Sequence, residues 1–177
     1  MPTSTEFDLT LIIEGRLDDD RVLDALFDAG CDDATFGEVD GIGFGDFRRH
    51  ARSFLGAAST AIRDVDSVPG LRVVRIESED LVTMAEIARR LGRSRESIRL
   101  LAADARGPGD FPPPVARIRS RSPLWRWVDV ATWAERALGR GDPQAGLIAS
   151  INAALEIRRR RSELGHRARR FVDTLAG

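Results

Sequence analysis

The chain of 177 residues is 42% hydrophobic and carries one cysteine, two histidines and no lysine, which allows one large or two small globular domains but neither an internal disulfide nor a four-ligand structural zinc site. No apolar stretch approaches the roughly 20 residues of a membrane helix, and Met1 to Asp8 lacks the basic-then-apolar order of a secretion signal, so a cytoplasmic protein with no membrane partner is expected. The net charge of −1 divides unevenly: residues 1–80 hold 8 Arg against 18 Asp and Glu, residues 81–177 hold 19 Arg against 10, and this assigns any polyanion to the second part.

Phe7 to Ile13 alternates and then runs apolar, as a buried strand does. Asp18 to Asp20 open a helix whose face is Val22, Leu23, Leu26 and Phe27, and Ala29-Gly30 ends it. Two short strands follow, Ala34 to Val39 and Ile42 to Phe47, around Asp40-Gly41, a strong hairpin turn. Phe54, Leu55, Ala58, Ile62 and Val65 recur at helical spacing before Pro69-Gly70 and the apolar run Leu71 to Ile76. The order β-α-β-β-α-β is that of a ferredoxin-like sandwich, a superfold that implies no function by itself.

Nothing in this part reads as a reaction centre. Asp18, Asp19, Asp20, Asp24 and Asp28 point around a helix and read as a solvated face. Cys31 has no basic neighbour in sequence to lower its pKa. Gly41, Gly43 and Gly45 alternate instead of opening a helix as a phosphate loop must, so they read as hairpin and strand-edge glycines. No paired acid and base, nucleophile, metal cluster or cofactor motif is present along the chain, and no enzyme is expected.

Thr83 with Glu86 three residues on is a capping box that starts a helix at Met84. Ile87, Ala88 and Leu91 form its inner face, Gly92 permits the left-handed turn that ends it, and Ser94 caps a second helix with Ile98 and Leu101 inward. This is a helix-turn-helix pattern, in which the start of the second helix enters the major groove of DNA. The exposed candidates are Thr83, Arg93, Ser94, Arg95, Glu96, Ser97 and Arg99. Arg95 and Arg99 suit guanine, while Glu96 either accepts from cytosine or orients a neighbouring arginine. Beyond Arg106 to Asp110, Val115 to Arg119 and Leu124 to Trp127 read as two strands of a wing whose Arg117, Arg119 and Arg121 meet phosphates or the minor groove. A short helix with Val130, Ala131, Trp133 and Ala134 closes the domain, and Trp125, Trp127 and Trp133 read as core more than as stacking platforms.

Residues Leu81 to Glu135 resemble the excisionase and AlpA-type regulators, related to the DNA-binding domains of MerR-type proteins. The likeness rests on the helix-turn-helix, the entry Phe111-Pro112-x-Pro114-Val115 and the closing pattern from Trp127 to Trp133, and it covers about a third of the chain. It implies that the second helix and the wing contact DNA, through Ser94, Arg95, Glu96, Arg99 and the wing arginines. The chain departs from the pattern by the Gly/Pro-rich insertion Arg106 to Asp110 and by its N-terminal domain, and the metal-binding cysteines of MerR-type proteins have no counterpart. The whole arrangement resembles two-domain DNA-binding proteins of high-GC bacteria.

Gly139 to Pro143 is a break, after which Gln144 to Leu175 reads as one or two helices. Ala154, Ile157, Arg161, Leu164, Ala168, Phe171 and Leu175 form a seam that serves either dimerisation or packing back on the same chain, and part of Arg158 to Arg161 reaches phosphate. The expected fold is thus α+β in three segments: an acidic ferredoxin-like domain (1–78), a winged helix-turn-helix (79–138) and a C-terminal helical segment (143–176). The expected function is sequence-specific binding of double-stranded DNA as a transcriptional regulator, with homodimers formed through the C-terminal helix or the N-terminal domain. Two alternatives share the fold. One is an excisionase-like DNA-bending factor of a mobile element, the other an antitoxin-like protein whose acidic domain binds a protein partner.

Overall fold

The computed structural model describes residues 4–161 and 163–175. It is a mixed α/β chain that divides into two compact units, residues 1–77 with 150–177, and residues 78–149. The C-terminal segment, read from the sequence as a third piece, clusters for the most part with the first unit. Among the described residues no helix is long and apolar enough to cross a membrane.

The first unit contains β1 (Thr5–Glu14), α1 (Asp20–Asp28), β2 (Ala34–Val39), β3 (Ile42–Ala51), α2 (Phe54–Ser67) and β4 (Arg72–Ile76). The sheet order is β2-β3-β1-β4, with every neighbouring pair antiparallel. Local chemistry sets the boundaries. Asp19 accepts the Arg21 N–H to cap α1, Ser53 accepts that of Gly56 to cap α2, and Asp40 and Gly41 take φ of 52° and 78° in the hairpin turn. Leu9, Leu11 and Ile13 of β1 pair in register with Phe47, Gly45 and Gly43, so one face is buried.

The helix faces are rotated from those expected. Leu26 is the buried residue of α1, whereas Phe27, about 100° further round, is 66% exposed. In α2 the inward set is Phe54, Ala57, Ala58, Ala61 and Val65, and Leu55 turns outward. Gly43 and Gly45 lie on an interior strand and not at a sheet edge. Their missing side chains leave room for Leu17 and Phe36, which would stand 2.9 and 2.7 Å from an added Cβ.

An outer strand exposes unpaired backbone groups, and β4 is covered by α6 (Ala145–Arg161). Asn152 accepts the Ile76 N–H at 2.7 Å and donates to its carbonyl at 2.9 Å. Arg158 donates to the Val73 carbonyl at 2.6 Å, and Asp66 of α2 accepts the Val73 N–H at 2.8 Å. Val73 and Ile76 are three apart, so in a regular strand they face opposite ways. A bulge opposite Ile12 and Ile13 corrects the alternation, and both are buried. The expected seam faces elsewhere: Ala145 and Leu155 are the buried residues of α6, while Ala154, Ile157 and Arg161, and Ala168, Phe171 and Leu175 of α7 (His166–Leu175), are exposed.

Arg49, 6% exposed, is the buried cation of this unit. It donates to both carboxylate oxygens of Asp33 at 2.8 Å, to Asp64 at 2.5 Å and to the Gly30 carbonyl at 2.7 Å, and its guanidinium lies over the Phe47 ring. The fold thereby brings Cys31 the basic neighbour that its sequence surroundings lack, but burial outweighs it and pushes the thiol up to about 11. Deleting one member of a buried ion pair leaves the others uncompensated. Arg49→Ala is expected to destabilise the unit by about 3–5 kcal/mol, read as faster amide exchange across β3 in native-state hydrogen exchange; a loss under about 1 kcal/mol would contradict the clamp.

Candidate nucleic-acid interface

The second unit is built around β5 (Leu81–Val82), α3 (Met84–Arg90), α4 (Arg95–Ala102), β6 (Trp125–Arg126) and α5 (Trp127–Leu138). The Glu86 carboxylate accepts the Thr83 N–H at 2.7 Å while the Thr83 hydroxyl oxygen accepts that of Glu86, completing the capping box. Gly92 stands at φ 61° in the turn, and Ser94 accepts the Ser97 N–H at 3.1 Å to start α4. Ile87, Ala88, Leu91, Ile98 and Leu101 pack with Val82, Trp125, Val130 and Trp133 in one buried cluster. The exposed side of α4 is therefore fixed by its buried side.

The segment after α4 departs from the expected two-stranded wing. After Ala116, which bridges to Leu124, Arg117 turns to φ 51° and the extended run stops. Residues 117–123 form a loop closed by that bridge, with the Ser120 N–H donating to the Arg117 carbonyl. β6 pairs with β5. Trp127 begins α5 instead of ending a strand, and its N–H donates to the Asp80 carbonyl. The Gly/Pro-rich insertion and the entry that follows it are held by two buried indoles: Trp133 donates to the Gly109 carbonyl at 2.9 Å, Trp125 to that of Pro112 at 3.0 Å, and Phe111 stands edge-on to Trp133. Trp127, partly buried, donates to Asp142 and is stacked by Arg90, which also pairs with Glu79.

Between the starts of both helices and the loop lies a groove of about 700 Å³, lined by Thr83, Met84, Ala85, Arg95, Glu96, Arg99, Arg121, Ser122 and Pro123. Five sequence-nominated residues thus meet: Thr83, Arg95, Glu96, Arg99 and Arg121. Arg93, Ser94, Ser97, Arg117 and Arg119 belong to the same segments but are not among its lining residues. Met84, Ala85, Ser122 and Pro123 also line it; Met84, Ala85 and Pro123 offer no polar group for the sequence to signal, and Ser122 is placed there by the path of the loop. Glu96 takes a bidentate pair from Arg99, at 2.8 and 2.6 Å, which holds its carboxyl below the ordinary range and orients the guanidinium. Arg93, Arg95, Arg117, Arg119 and Arg121 have no ion-pair partner among the described residues.

The charge of the unit is milder than the half-chain balance suggests. Residues 78–149 hold 12 Arg against 9 Asp and Glu, a net of +3. The C-terminal arginines expected in part at phosphate are paired within the first unit: Arg158 with Asp66, Arg159 with Glu14 and Glu156, Arg160 with Glu156 and Glu163, and Arg161 with Asp173. No family model, curated protein or solved structure matches the chain.

The capping box ties the groove's rim to pH. Hydrogen bonds from the Thr83 N–H and hydroxyl, with smaller help from Arg90 and Arg89, hold the Glu86 carboxyl below the usual glutamate range. Its stabilisation is therefore complete above the unfolded value, near 4.3, and is lost as pH falls through the lower folded value. Thr83→Ala is expected to cost about 0.5–2 kcal/mol at neutral pH. Glu86→Gln is expected to be less stable than wild type at neutral pH, and the gap should narrow as pH falls below about 4. Urea unfolding followed by tryptophan fluorescence reports this unit, since all three tryptophans lie within it. A gap that widens in acid would contradict the assignment.

Proposed function

We propose that the second unit is a winged helix-turn-helix that binds double-stranded DNA sequence-specifically, as in a bacterial transcriptional regulator, and that the first is a ferredoxin-like domain serving oligomerisation or partner binding. The observation that carries the reading is the groove itself, where the first turn of α4 and the base of the loop converge with Arg95 and Arg121, neither ion-paired among the described residues. The start of α4 enters the major groove in this reading. Arg95 reads a base edge, Arg99 reads with the edge of its guanidinium that Glu96 leaves unoccupied, and Arg117, Arg119 and Arg121 engage the backbone or the adjacent minor groove. Each phosphate neutralised releases condensed counterions, so affinity falls as salt rises.

One such unit contacts few base pairs. Two copies on half-sites about one helical turn apart would supply the affinity of a regulator. The residues of α6 and α7 left exposed, Ile157, Phe171 and Leu175, are open to that pairing, as is the first unit.

The test is anisotropy titration of a selected duplex and a random duplex of equal length at several salt concentrations. Arg95→Ala is expected to weaken the selected duplex by about 1–3 kcal/mol and to relax preference at one position. Arg121→Ala is expected to weaken both duplexes alike and to reduce the salt slope by about 1. A binding constant indifferent to salt would overturn the proposal.

A further inference from the structure

Ile118 is 67% exposed, and the fold gives no reason for it. The Ser120 N–H bond to the Arg117 carbonyl makes Arg117 to Ser120 a β-turn with Ile118 and Arg119 at its two central positions. Such positions favour Gly, Pro, Asn, Asp or Ser. A β-branched apolar residue there gains no packing from the fold. The turn is nonetheless held in one shape, by the bridge between Ala116 and Leu124, by the Ser122 N–H to the Ser120 hydroxyl at 3.1 Å, and by Arg117 at a φ of 51°. A left-handed arginine stores backbone strain of the kind that functional loops retain.

The neighbours of Ile118 say what it meets. Arg117 and Arg119 flank it and Arg121 follows, all exposed and none ion-paired among the described residues, while Arg121, Ser122 and Pro123 carry the same loop into the groove beside α4. A protein partner would be offered an apolar knob ringed by three unneutralised cations. A nucleic-acid duplex offers phosphates to the cations and a base stack to the knob. Apolar side chains delivered by basic segments into the minor groove part adjacent base pairs and kink the helix toward the major groove, at least cost at pyrimidine–purine steps.

We propose that Ile118 is a minor-groove wedge, and that this protein bends the DNA it binds by partial insertion of Ile118 at a flexible base step while Arg117 and Arg119 hold the flanking phosphates. This rests on the DNA-binding reading above. It assigns bending to a named residue of the loop and adds a sequence preference at a step that α4 does not touch.

The test uses the full chain and a duplex of about 30 base pairs carrying the tightest-binding sequence from in vitro selection, labelled at its ends for energy transfer and with 2-aminopurine at its pyrimidine–purine steps. Wild type is expected to raise the transfer efficiency and to increase aminopurine emission several-fold at one step. Ile118→Ser should abolish both signals and the preference for that step while leaving the salt slope unchanged, and Ile118→Leu should restore them. A bound but straight duplex, or signals unchanged in Ile118→Ser, would overturn the wedge and leave the binding reading standing. Failure of wild type to bind any duplex would overturn both.

Discussion

A buried indole has one N–H to place, and in the second unit two of them must be placed at once. Trp125 and Trp133 are each 3% exposed and supply the largest apolar bodies of the core behind α4. An unsatisfied N–H at that depth would cost about 1–3 kcal/mol. The carbonyls of Gly109 and Pro112 accept them, and this is what fixes an otherwise irregular stretch. Pro112 to Pro114 have no N–H to offer a sheet, so the segment is held by side chains and not by a ladder. The path into the 117–123 loop follows from it, and with the path comes the placement of Arg121 opposite Arg95.

The electrostatics of the first unit are organised by the same kind of compensation. Its sheet is anchored by a buried arginine shared between two aspartates, and its outer strand is covered by a helix that brings a second arginine to Asp66 and the Val73 carbonyl. With residues 150–177 included, the unit holds 15 Arg against 19 Asp and Glu, a net of −4. Part of the basic charge in the second half of the chain is therefore paired away: Arg158 and Arg159 reach Asp66 and Glu14 of the first half, and Arg160 and Arg161 pair with acids of the C-terminal segment itself. Among the arginines of the second unit, Arg95 and Arg99 of α4 and Arg121 of the loop are set apart by lining one groove.

The sequence was most legible where the chemistry is local. The capping box at Thr83 and Glu86, the turn at Gly92, the cap at Ser94 and the hairpin at Asp40-Gly41 each need only residues within a few positions, and each is found. It was least legible where long-range pairing or a neighbour's size decides. Leu55 and Phe27 satisfy helical spacing yet face outward, because the alanines of α2 and Leu26 of α1 take the close contacts. α5 starts at Trp127 with no side-chain cap to announce it. Arg117 leaves the extended region without a glycine to mark the place. Asn152 and Arg158 carry no sign of the strand they seal, 76 and 85 residues earlier.

Amide hydrogen exchange of the full chain with and without saturating duplex DNA tests the central claim most directly, because it reports the interface residue by residue without altering any side chain. Slowed exchange is expected at 83–86, 93–99 and 117–123. Unchanged exchange in 93–99 and 117–123 at saturation, or slowing confined to residues 4–76, would contradict it.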